Sequence, residues 1–145
     1  MTHRDKSHAD KNYDFIQRLD QVLAPGPTEF PYRRNYESVK RVAQSLEDWL
    51  AQPTAMKKLQ VQIEPGFQGS LGQQLNVVLD IPDRHVRDTL FRVYLQPSGE
   101  INLDLYGEET VPCVDEGEMQ EKILQFLGEP ENKSRLNMYK DMLTQ

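Results

Sequence analysis

The chain has one cysteine, Cys113, so an intramolecular disulfide is impossible and a zinc cluster built on cysteines is excluded. It has no apolar run near the ~20 residues that a membrane-spanning helix needs. Its first eleven residues are charged and lack the apolar core of a secretory signal. It also lacks basic excess. Seventeen Lys and Arg face 23 Asp and Glu, for a net charge of −6, which disfavours phosphate backbones as partners. These absences lead to the expectation of a cytoplasmic protein with no membrane attachment and no bound cofactor or metal.

What charge there is lies unevenly. Residues 1–53 are balanced, residues 54–106 carry −1, and residues 107–145 carry −5. An acidic end attracts basic partners at long range.

The clearest pattern is alternation between Lys57 and Tyr106. Leu59, Val61 and Ile63 alternate with polar residues, as do Leu75, Val77, Leu79 and Ile81. Phe91, Val93 and Leu95 follow, then Ile101, Leu103 and Leu105. Successive side chains on a strand point to opposite faces, so each segment has one apolar and one polar face. That suits an antiparallel meander with one wet face. The turn signals agree: Pro65-Gly66 is read as closing the first strand, Pro82-Asp83 the second and Pro97-Ser98-Gly99 the third.

Helical spacing flanks the meander. Phe15, Ile16, Leu19, Val22 and Leu23 share a face, and Pro25-Gly26-Pro27 ends that helix. A second helix is expected from an Asn35 cap to Pro53, with Val39, Val42, Leu46, Trp49 and Leu50 as its buried stripe. Asp115 with Glu118 forms a capping box ahead of Met119, Ile123, Phe126 and Leu127, and a last helix is expected over residues 132–143. The expected architecture is α+β, αα-ββββ-αα, with one layer of helices on one face of a four-stranded sheet. Residues 1–12 read as a disordered tail and residues 13–145 as a single domain.

No catalytic set emerges. His3 and His8 lie in the expected tail. His85, in Asp83-Arg84-His85-Val86-Arg87-Asp88, could act as a general base oriented by Asp83 or Asp88, in a hydrolase or nuclease, but no nucleophile or oxyanion site accompanies it. Cys113 has carboxylate neighbours, which raise a thiol pKa and favour a small packed residue over a nucleophile. Gly66, Gly69 and Gly72 resemble a phosphate loop only in composition, because a strand and not a helix follows them. Phe30 to Tyr36 interleaves aromatics with Arg33 and Arg34, a pattern used on single-stranded nucleic acid, but two arginines on an acidic chain make nucleic acid a poor expectation.

The expected function is therefore a small acidic, non-catalytic protein-binding module. Inhibitors, immunity proteins, adaptors and chaperones share this size and charge class. The expected partner is a protein with a basic surface. Glu108, Glu109, Asp115, Glu116 and Glu118 would steer it, while Phe67, Leu71 and Tyr32 would anchor it. The alternative is a subunit of a homo- or hetero-oligomer.

Overall fold

The computed structural model describes residues 8–23, 30–52, 59–105, 107 and 109–143. Its elements run α1 (His8–Leu23), α2 (Phe30–Ala51), β1 (Gln60–Gly69), β2 (Gly72–Ile81), a short 3-10 turn (Pro82–Arg84), β3 (Val86–Leu95), β4 (Ile101–Asp104), β5 (Thr110–Cys113), α3 (Glu116–Leu127) and α4 (Pro130–Met142). The class is α+β, as the alternation implies.

The sheet has five antiparallel strands in sequence order, not four. The added strand is Thr110–Cys113, just beyond the stretch of alternation that ends at Tyr106. Pro112 hides it, since proline has no N–H for a ladder. An edge strand tolerates proline, and β5 is an edge.

The first hairpin is longer than its turn signals suggest. Pro65-Gly66 does not close β1. The register shifts between Pro65 and Gln68, and β1 continues to Gly69. Ser70 and Leu71 then make the reversal, with Gly69 opposite Gly72. Gly72 has φ +108°, and a Cβ there would lie 2.3 Å from the Leu95 carbonyl oxygen, so glycine is required.

β3 also starts earlier than expected, at Val86. Val77 faces Phe91 but Val78 faces Thr89, which leaves Leu90 as the extra residue of a bulge. The bulge buries Leu90 and Phe91 together. It also moves Asp88 onto the helix side, where the Tyr139 hydroxyl donates to its Oδ2 at 2.7 Å and Arg135 Nη1 lies 3.4 Å away.

The core is the apolar face of the sheet under the helices. Val61, Leu75, Val77, Leu79, Val93, Leu95, Ile101 and Leu103 meet Val39, Ala43 and Leu50 of α2, Met119, Ile123 and Phe126 of α3, and Leu136 of α4. The opposite face is polar and held by side-chain bonds between strands. Gln74 Nε2 donates to the Tyr94 hydroxyl at 2.9 Å, Arg92 Nε to Asn76 Oδ1 at 2.9 Å, and Arg87 pairs with Glu64.

The helix boundaries differ in instructive ways. α2 begins at Phe30, so Asn35 is not a cap. It is buried inside the helix, and its Nδ2 donates to the Gly99 carbonyl at 3.1 Å, tying α2 to the β3–β4 turn. Asp115 does cap α3, accepting from Glu118 N at 2.8 Å. Pro130 stands at the start of α4, where its missing N–H costs nothing. α1 begins at His8, inside the segment read as a tail; residues 1–7 lie outside the described residues.

Candidate functional site at the turn end of the sheet

One row of paired residues crosses all five strands: Gln68, Gln73, Leu95, Ile101 and Cys113. Just beyond this row lie the β1–β2 turn, the β3–β4 turn and the junction of β5 with α3. The register thus brings Leu71 and Asp115 to the same end of the molecule, separated by the width of the sheet, about 19 Å at ~4.8 Å per strand spacing.

At the β1 side of this end, Tyr32 and Arg33 of α2 face the first hairpin across an open cleft of about 550 Å³. Gln68, Gly69, Ser70, Gln73 and Gln96 complete its walls. Tyr32 stacks on Tyr36 with ring centroids 6.4 Å apart. Burial, then the neighbouring Tyr36, raises the Tyr32 phenol above its usual pKa. Gln96 Nε2 donates to the Ser70 carbonyl at 3.2 Å, which links the two turns. The cleft is therefore bounded by fixed elements.

At the β5 side, Val114 is 84% exposed and Asp115, Glu116 and Glu118 follow it on the first turn of α3. Acidic groups at a helix N-terminus sit favourably against the dipole. Glu116 Oε2 lies 3.4 Å from Arg41 Nη2, an exposed pair that contributes little stability.

The other expected residues are placed apart. Phe67 is 68% exposed but lies on the polar face of the sheet, beside Glu64, Gln74, Asn76 and Arg92. Glu109 precedes β5, at the far end of that strand from Asp115. Glu108 falls outside the described residues. So Tyr32, Leu71, Asp115, Glu116 and Glu118 share one end, and Phe67 and Glu109 do not.

His85 is exposed in the left-handed conformation, φ 54°, with its N–H donating to the Pro82 carbonyl at 3.1 Å. Asp88, one of its two candidate orienting groups, is engaged by Tyr139 and Arg135 on the helix side. Cys113 is buried, and its thiol is pushed up to about 11 by burial, then by Glu118 and Asp115, against the opposing Lys122. Among the described residues, no group of three or more His, Cys, Asp or Glu side chains is placed to hold a metal ion. No helix among them is long and apolar enough to cross a membrane.

A second surface escaped the sequence reading. Val42, Leu46 and Trp49 of α2 were expected in the core, but Trp49 is 39% exposed. With Ile123, Leu124 and Leu127 of α3 and Leu136 of α4 they line an apolar groove of about 810 Å³ on the outside of the helical layer. Helical periodicity assigns residues to a face; it does not say whether a third helix covers that face.

Comparison with protein-family models, with characterised proteins and with solved structures gives no match for this chain.

Proposed function

We propose that this protein is a non-catalytic protein-binding module that engages a basic partner with the turn end of its sheet. The row from Gln68 to Cys113 supports this reading, because it puts the Tyr32 cleft and the Ser70-Leu71 turn at the same end of the sheet as the acidic start of α3, across the sheet's width from it. A partner crossing that end meets apolar anchors on one side and carboxylates on the other, with no large rearrangement of either. Apolar anchors supply affinity and rim charges supply association rate.

The test is binding kinetics with variants that leave the core alone. A basic partner captured by the native chain should associate more slowly with Glu118→Lys, with a flatter salt dependence. Glu109→Lys, at the other end of β5, should change this rate less. Leu71→Asp should speed dissociation. Retention of the partner with unchanged rates by Glu118→Lys and Leu71→Asp together would remove this end as the docking surface.

A further inference from the structure

An edge strand turns a row of main-chain donors and acceptors outward, and another strand can pair with that row. The edges of this sheet are β1 and β5. Strand register fixes which of their groups face out. On an antiparallel strand the N–H and C=O of one residue point to the same side, and that side alternates along the chain.

On β1 the Val61 N–H points away from β2, because it donates to Glu47 Oε1 of α2 at 3.0 Å. The ladder with β2 runs without a shift from Gln60 to Pro65. The outward positions are therefore Val61, Ile63 and Pro65. Glu47 takes the donor of the first, and proline has none at the last. Beyond Pro65 the register shifts, and a bulge bends an edge out of line for pairing. This row keeps an outward strand donor only at Ile63.

The β5 edge is blunted in a related way. Gln96 N–H donates to the Glu100 carbonyl at 3.0 Å, so these two face each other across the β3–β4 turn. Alternation from Glu100 turns Asn102 and Asp104 to β3, and Ile101 and Leu103 to β5. Their partners Cys113 and Val111 face β4, which leaves Pro112 outward, again with no N–H. Both edges thus carry a proline in the outward row, where it breaks no ladder bond of the sheet itself.

Glu47 differs from the prolines because its guard is a side-chain contact. Its other oxygen, Oε2, accepts from Gln44 Nε2 at 3.2 Å, which steadies the carboxylate on the flank of α2. An ionised acceptor binds an N–H more strongly than the carbonyl of an incoming strand does. We propose that Glu47 is the guard of the β1 edge: it occupies the Val61 N–H and so denies the edge to a strand from another molecule. This goes beyond the docking reading and does not rest on it.

The purified chain supplies its own probe strand, because the outward row is symmetric about Ile63. Two copies of β1 laid antiparallel set Ile63 against Ile63 and Val61 against Pro65, a two-fold arrangement. With Glu47 in place, only the reciprocal Ile63 bonds are open to such a pair. Removing Glu47 frees Val61 N–H for the Pro65 carbonyl of the other copy. A residue with an N–H at position 65 adds the reverse bond.

Amide hydrogen exchange read by NMR on the full chain tests this. In the native chain the Val61 amide should be as protected as the ladder amides of Gln62 and Glu64 beside it. In Glu47→Ala it should exchange at least about tenfold faster, the loss of one hydrogen bond. Glu47→Gln keeps an acceptor oxygen and should keep most of the protection, which separates a hydrogen-bonding guard from a bare negative charge. The double variant Glu47→Ala, Pro65→Val should self-associate in light scattering, with its Ile63 amide gaining protection as concentration rises; the native chain should show no such gain at Ile63. A native Val61 amide that exchanges about tenfold faster than Gln62 and Glu64 overturns the proposal without recourse to any variant. So does a native chain that already pairs through Ile63, or a folded double variant whose Ile63 amide is indifferent to concentration. Docking at the turn end is read from Leu71→Asp and Glu118→Lys, so either proposal can fail alone.

Discussion

Tyr139 donates its hydroxyl to Asp88 at 2.7 Å, and this bond fastens the last helix to the third strand. It exists because of the Leu90 bulge. Without the extra residue, strict alternation with Phe91 would point Leu90 and Asp88 to the polar face. Tyr139→Phe keeps the ring in its buried place and removes the donor. We expect a loss of about 1.5 kcal/mol, at the low end for a hydrogen bond to a charged acceptor, because Arg135 still faces Asp88. Urea unfolding of the variant checks this.

The same contact makes stability sensitive to alkali. Burial first, then the hydrogen bond to Asp88 and its charge, push the Tyr139 phenol up to about 12 from 10.0, against the opposing Arg135. The folded state therefore holds its proton after the unfolded chain has lost it. The stabilisation is complete below pH 10 and is lost as pH rises from about 10 through 12. Tyr139→Phe should remove this part of the alkaline decline. A variant whose stability falls as steeply as the native chain over that window would contradict the assignment.

Cys113 should be nearly inert. With its thiol at about 11 instead of 9.0, the thiolate fraction near neutral pH is about a hundredfold lower than for an ordinary cysteine, and burial limits access further. Labelling with a disulfide reagent at pH 7.5 should be slow in the native protein and fast in denaturant. Fast native labelling would show that β5 opens readily.

Two positions test the turn end as structure. Gly72→Ala places a methyl against the Leu95 carbonyl at a positive φ, and should cost more than about 2 kcal/mol. Asp115→Ala removes the cap of α3 and should cost about 1 kcal/mol. Calorimetry on both variants measures these losses.

Alternation made the sheet legible in the sequence because its period of two survives wherever one face is wet. It failed at Leu90, where a bulge breaks the period, and at Thr110–Cys113, where four residues with a proline are too few to show one. Capping chemistry was legible at Asp115, whose side chain acts locally. At Asn35 it misled, since the same side chain meets a partner 64 residues away. The candidate site was legible in part. Tyr32, Leu71 and the acidic start of α3 were named from residue type, but only strand register brings them to one end of the sheet. The groove was hidden because Val42, Leu46 and Ile123 read alike whether they floor a groove or fill a core.

The sequence-order sheet has a consequence for how the protein is made. Each strand pairs with the one synthesised just before it, so the ladders close short loops and contact order stays low. A nascent chain can build the meander hairpin by hairpin while still on the ribosome. Its greasy side, however, is sealed only when Met119, Ile123 and Leu136, which follow all five strands in the chain, have been made. Until then the half-made protein depends on α2 alone for cover, and that interval is when aggregation threatens it most.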